Sequence, residues 1–305
     1  MDRFDYAFRH HGLDRAEPLR SQANALDEAW VKAKVLVLND KGESCIFNRD
    51  DNFYPASLIS LARPENAVFL GFRDKQAYFA IAQNAVSHAA EAMLNIRTAV
   101  GMWPEWMTAV FAQAKALLHW QVQSKFCGRC GNLTSLKTAG YSASCASCGL
   151  VVYPQTHPAT IMCVSDGNKI LLGRQAVWPE KRMSLLAGFI EPGETPEQTV
   201  VREVWEESGV RVERVRYVAS QPWPMPMALM LGFDAYAPEQ EISISDELQA
   251  ANWYARDELR ALVATGELLL PDALSISHSL IMRWLDANPL DRVFWHTADC
   301  EGGQP

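Results

Sequence analysis

The stretch from Gly188 to Val210 constrains the chain more than any other part of it, because it specifies a loop, a helix start, a charged helix face and a helix stop in immediate succession. Thr195 is placed to cap a helix that begins at Pro196, Gln198 can close a capping box, and Gly209 suits the left-handed residue after the last turn. At 100° per residue, Glu203, Glu206 and Glu207 fall within about a 100° arc, with Val201, Val204 and Trp205 roughly opposite. The expected helix packs one face and presents three carboxylates on the other. Like charges three and four residues apart destabilise a helix by a few tenths of a kcal/mol per pair, so the cluster calls for a bound counterion. Hard oxygen donors favour Mg2+ or Mn2+. A solvated acidic helix face is the competing reading of the three glutamates alone. The preceding loop favours the metal: Gly188 and Gly193 allow sharp bends, Glu194 adds a carboxylate, and Arg202 can tie loop to helix.

Seven cysteines give an odd count, and four of them form two C-x-x-C pairs, Cys127 with Cys130 and Cys145 with Cys148. The spacing C-x2-C-x14-C-x2-C predicts two knuckles joined by a hairpin, holding one tetrahedral Zn2+. With sulfur in all four positions no open coordination site remains, so the expected role is structural. A nucleic-acid-binding ribbon is the competing reading, carried by Lys125, Arg129 and Lys137. Cys45, Cys163 and Cys300 have no adjacent histidine base and read as small apolar fillers or idle surface thiols. The pattern belongs to a reducing cytoplasm and not to a disulfide framework.

Around these two motifs the chain predicts an α+β protein in several parts. Val35–Leu38 and Ala67–Phe72 read as strands, each followed by a turn signal. From Pro104 to Gln123 the recurrence of Trp106, Val110, Ala114, Leu117 and Trp120 predicts a helix. Thr160–Val164, the turn Asp166-Gly167-Asn168 and Ile170–Leu172 predict a hairpin. Strands near 211–219 and 228–236 and helices near 257–265 and 275–286 follow, the last from the spacing of Ile276, Leu280, Ile281 and Trp284. The expected division is an N-terminal α+β domain over 1–124, a zinc ribbon over 125–156, a catalytic domain over 157–290 and a tail over 291–305. The end Gly302-Gly303-Gln304-Pro305 reads as disordered. No apolar run reaches the 18 to 20 or so residues that span a bilayer, and the start Met1-Asp2-Arg3-Phe4-Asp5 is not that of an export signal. A soluble cytoplasmic protein is expected. The net charge of -8 gives no overall attraction to nucleic acid or an anionic membrane, so an anionic substrate needs local metal or arginine.

The segment Gly188–Val210 matches every fixed position of the pattern G-x5-E-x7-R-E-U-x-E-E-x-G-U, with U apolar, and so resembles the Nudix hydrolases. The resemblance implies a mixed sheet between helices over about 157–290 and hydrolysis of a nucleoside diphosphate linked to another group. It implies that Glu203, Glu206 and Glu207 bind the catalytic Mg2+ or Mn2+ and that Glu194 assists or orients. The later run Ser220-Gln221-Pro222-Trp223-Pro224-Met225-Pro226-Met227-Ala228 resembles the S-Q-P-W-P-F-P-x-S signature of the zinc-ribbon-containing NADH pyrophosphatases, departing from it at Met225 and Ala228. By the same resemblance Glu247 completes the metal site, Phe189 and Tyr153 stack on the nicotinamide ring, Gln221 and Trp223 contact substrate, and the protein is a homodimer. As bland alternatives, Phe189 and Tyr153 are core residues and Glu247 an exposed charge.

The implied reaction cuts the pyrophosphate of NADH, and of NAD+, into AMP and nicotinamide mononucleotide. A pyrophosphate resists attack because its oxygens are anionic; metal ions neutralise that charge and lower the pKa of a bound water. Each of the three helix glutamates is eligible as the general base. Three other readings stay open. The same chemistry can act on ADP-ribose or a diadenosine polyphosphate, or remove an NAD cap from RNA. The chain can also be a non-catalytic zinc-ribbon binding or regulatory protein, a reading opposed by the intact set of glutamates.

Overall fold

In the computed structural model, residues 6–10, 12–46, 52–60, 62–86 and 90–287 are described. The expectations for Met1–Asp5, for Cys300 and for the tail over 291–305 lie outside the described residues.

Two compact units result: Ala7–Thr156 with Pro222–Met227 form one, and Tyr6, His157–Gln221 and residues 228–287 form the other. In the first, α1 (Ala23–Trp30) precedes β1 (Lys34–Leu38), β2 (Ser44–Ile46), β3 (Tyr54–Pro55), β4 (Val68–Arg73), β5 (Gln76–Ala82) and β6 (Ala92–Leu94). Then come α2 (Ile96–Met102) and α3 (Glu105–Gln123), followed by β7 (Thr134–Lys137), β8 (Ser142–Cys145) and β9 (Val151–Val152). The larger sheet runs β4-β5-β1-β2-β6, with β3 also on β1 and β1 parallel to β5. The apolar run Val35–Leu38 has a physical reason: the strand is covered on both faces. Leu36 and Leu38 pack with Val110, Phe111 and Leu117 of α3, while Val35 and Val37 pack with Leu26 and Trp30 of α1. The three-stranded ribbon sheet β7-β8-β9 belongs to this same unit, where Ala143 is buried with Trp120 of α3.

The second unit contains β10 (His157–Ser165), β11 (Lys169–Arg174), β12 (Leu186–Phe189), α4 (Pro196–Ser208), β13 (Arg214–Trp223) as far as Gln221, β14 (Ala228–Tyr236), β15 (Ala250–Ala255), α5 (Arg256–Thr265) and α6 (Ile276–Asp286). Its sheet is ordered β13-β14-β10-β11-β15, with β12 antiparallel to β10 and β14 parallel to it. Alternation along β10 splits two cores. Met162 and Val164 face Val200 and Val204 of α4; Ile161 and Cys163 face Ile276, Leu280 and Ile281 of α6. Burying an aliphatic side chain of this size contributes about 1.5 to 3 kcal/mol, so α4 is fixed to the sheet chiefly by those two valines.

That packing corrects the helical-face reading. Val201 and Trp205 were expected inside with Val204, yet they are 38% and 44% exposed. The buried arc of α4 holds Thr199, Val200, Val204, Glu207 and Ser208 instead. It lies next to the glutamate arc and shares Glu207 with it, and Trp205 rests under the guanidinium of Arg211, 5.1 Å from the ring centroid.

Candidate active site and zinc ribbon

Strand β12 and helix α4 meet at one glycine. Gly188 pairs with Thr160 on β10, and a Cβ built on it would overlap the Glu203 carboxylate. The strand end therefore has to be glycine for the glutamate to lie against the backbone. The loop turns at Gly193, with φ +100°, a region open to glycine at no steric cost. The helix then starts with the capping box read from sequence: Gln198 N donates to Thr195 Oγ1 at 3.3 Å and Thr195 N to Gln198 Oε1 at 2.8 Å. It ends on Gly209 at φ +69°.

Arg202 organises the carboxylates. Its Nε and Nη2 donate to the two oxygens of Glu194 at 2.6 and 2.9 Å. Nη1 donates to Glu203 Oε1 and Glu206 Oε2, both at 2.9 Å, and Nη2 also reaches the carbonyl of Phe189 at 3.0 Å. Loop and helix are thus locked by a forked guanidinium, as planar bidentate geometry allows. The Arg202 contact, with the Glu191 amide and the Thr199 hydroxyl, holds Glu194 down to about 2. Glu194 is a fixed anion.

Glu207 has the opposite surroundings. It is 4% exposed, its Oε2 has no hydrogen-bond partner among the described residues, and burial, followed by the charges of Glu203 and Glu247, pushes its pKa up to about 8. The Ala187 amide is its one opposing influence. Glu203 is also raised, by burial first, with Arg202 pulling the other way. Glu247, on the exposed turn before β15, is close enough to raise both. An orphaned buried carboxylate oxygen beside two further carboxylates is the arrangement that a divalent cation would complete, so the residues fit the metal.

The cysteines converge as the spacing predicts. The sulfurs of Cys127, Cys130, Cys145 and Cys148 all lie within 4.8 Å of one another. The two knuckles repeat one hydrogen-bond pattern: Gly131 N donates to Cys127 O at 2.8 Å and Gly149 N to Cys145 O at 2.9 Å. The side-chain and backbone amides of Asn132 lead the influences that draw Cys130 down to about 6, which favours thiolate.

Phe189 and Tyr153 are 61% and 63% exposed, which removes the core reading for both. Gln221 is fully buried, donating to Leu274 O and accepting from Ile276 N, both at 2.8 Å, so its amide fastens β13 to the start of α6. Trp223 belongs to the unit that holds the ribbon; it is half-buried, with the Arg97 guanidinium 5.4 Å from its ring centroid. In the same segment Met225 packs against the α3 core and Met227 is buried with Trp120. Cys45 and Cys163 are buried. Sequence reasoning missed Thr199, whose buried hydroxyl donates to Glu194 Oε2 at 2.8 Å; its one signal was its place one turn inside the cap.

Residues 155–273 match the family model of the NUDIX domain, and residues 123–153 match that of the NADH pyrophosphatase zinc ribbon domain. Over 289 residues the chain is 35% identical to the NAD-capped RNA hydrolase NudC of Mycobacterium bovis (strain BCG / Pasteur 1173P2), covering 90% of this chain and 92% of that protein. It is 43% identical over 194 residues to the NAD-capped RNA hydrolase NUDT12 of Homo sapiens, covering 59% of this chain and 42% of that one. A NUDIX hydrolase structure from Nitrosomonas europaea aligns with a TM-score of 0.44 at 23% identity, over 53% of this chain and 90% of that one. The four cysteines are therefore a structural zinc site, and the chain belongs to the Nudix hydrolases that carry the NADH pyrophosphatase zinc ribbon.

Proposed function

We propose that the protein hydrolyses the pyrophosphate bond of NADH and NAD+ to AMP and nicotinamide mononucleotide, and makes the same cut in the NAD cap of RNA. The observation that carries the chemistry is Glu207, buried with an unpartnered oxygen against Glu203. The substrate class is supported by the matched ribbon and by relatives named for NAD-capped RNA. In this reading Glu203, Glu206, Glu207 and Glu247 hold Mg2+ or Mn2+. Such ions neutralise phosphate charge and make hydroxide available near neutral pH. Arg202 and Glu194 are positioning residues: the guanidinium fixes the loop carboxylate and keeps Glu203 and Glu206 oriented. Phe189 and Tyr153 offer exposed rings for stacking on nicotinamide, and Trp223 contacts substrate. Gln221 is proposed to act through α6 and not by touching substrate.

The reaction is assigned to 157–290 and stability to the ribbon over 125–156, with 1–124 and 291–305 as flanking segments. A reduced four-thiol site supports a cytoplasmic location, and among the described residues no helix is long and apolar enough to cross a membrane. Homodimerisation completes the proposal.

Incubation with Mn2+ or Mg2+ and NADH, NAD+, ADP-ribose or diadenosine tetraphosphate, with AMP release followed by chromatography, tests it. The expected result is fastest cleavage of NADH. Preference for ADP-ribose or the tetraphosphate would overturn the substrate assignment and leave the metal chemistry standing. Metal-independent or absent cleavage of all four would overturn both.

A further inference from the structure

Acidic residues make up 36 of the 305, so a stretch of 60 would carry about seven; from Trp106 to Ser165 there are none. That stretch holds Lys115, Lys125, Arg129 and Lys137. Lys115 is turned inward to the carbonyls of Lys41 and Gly42. Lys125, Arg129 and Lys137 are exposed on the ribbon. The zinc tetrathiolate brings two negative charges, which leaves the stretch cationic on a chain whose total is -8.

One of these cations, Lys125, stands beside apolar side chains that the ribbon does not bury. Phe126 is 57% and Leu133 62% exposed, and the two are held side by side by an antiparallel bridge. The Lys125 ammonium lies 5.8 Å from the Phe126 ring centroid, and Thr134 N donates to Lys125 O, fixing the lysine to the same edge. Arg129 projects from the first knuckle, one residue before Cys130.

We propose that this edge of the ribbon, built on Lys125, Phe126 and Leu133, with Arg129 three residues after Phe126 in sequence, binds single-stranded RNA. An exposed ring beside a cation suits such a strand, because each base offers a π-face and each nucleotide a phosphate. This rests on the reading of NAD-capped RNA as a substrate and gives the polynucleotide its own contact, separate from the carboxylates that act on the pyrophosphate. A second copy of the chain is the less suitable occupant: an isologous contact would set like charges against each other.

The test is fluorescence anisotropy with an uncapped, labelled 12-nucleotide RNA and the full-length zinc-loaded protein, with NADH hydrolysis measured in parallel. Phe126→Ala is expected to weaken RNA binding about fivefold or more. Lys125→Gln should lower the slope of log K against log salt by about 0.7, and Lys125→Arg should restore it. NADH hydrolysis and zinc content should stay at wild-type values. Unchanged RNA affinity in Phe126→Ala and Lys125→Gln overturns the proposal. So does a parallel fall in NADH hydrolysis, or conversion of dimer to monomer with RNA affinity intact. RNA binding that persists in a protein unable to cleave any dinucleotide would sink the catalytic reading and leave this one standing.

Discussion

Glu207 carries the sharpest conflict between stability and function in the molecule. Burial first, and then the charges of Glu203 and Glu247, lift its pKa to about 8 from the ordinary 4.5. Because the folded state holds the proton more tightly than the unfolded chain, stability is fully present below about pH 4.5 and is lost as pH rises through 8. Protein stripped of divalent metal by chelation should therefore lose stability between pH 5 and 8. Glu207→Gln keeps the shape without the charge; it should flatten that slope and be the more stable form at pH 8 by on the order of 2 kcal/mol. Turnover should fall by orders of magnitude in the same variant. Parallel stability curves, or near-normal turnover, would reject the assignment. Glu194 shows how differently the same side chain can be used: it is held near 2 by Arg202 and Thr199, so it adds stability above the unfolded pKa and loses it only as pH falls toward 2.

Helix α4 shows what the sequence could and could not say about an element. Its two ends were legible because caps are local: Thr195, Gln198 and Gly209 act within one turn of themselves. Its three glutamates were legible because spacing alone sets their arc. The packed face was not. Val200 and Val204 lie about 20° and 60° from Glu207 on one side of the wheel, so the buried arc runs into the charged arc, and packing against the sheet decides which residues go under. The same limit applied to Gln221, whose motif pointed to substrate while its amide bonds to Leu274 and Ile276. Packing against α6 depends on chain more than 50 residues away. A stability comparison follows for α4. Val204→Ala should cost about 1.5 to 3 kcal/mol in urea unfolding, whereas Trp205→Ala should change stability by about 0.5 kcal/mol or less. Equal costs at the two positions would restore the original face assignment.

At the scale of the whole molecule, the zinc site and the proposed Mg2+ or Mn2+ site fall in different units and serve different ends. The unit with the ribbon has four sulfurs that close the zinc site, so the ion contributes to folding alone. The unit with α4 has carboxylates assembled on a strand end and a helix that are already packed by their own core. Structural zinc binds small domains with on the order of 10 kcal/mol of apparent free energy, whereas a ligand added to a formed site stabilises it only by mass action. Hydrogen exchange should separate the two. Removing zinc, or replacing Cys127 with serine, should abolish protection of the amides of Cys127, Gly131, Cys145 and Gly149, whose carbonyl partners lie within the knuckles. Ala143 is buried with Trp120, so protection at the end of α3 should weaken with it. Strands β10 and β14 should exchange as before, and specific activity per folded molecule should be largely kept. Mn2+ should slow exchange in α4 and leave the knuckles unchanged. Loss of protection throughout β10–β14 on zinc removal would mean that the zinc site supports the catalytic core directly, and a well-folded but inactive Cys127→Ser protein would give the ribbon a part in the reaction.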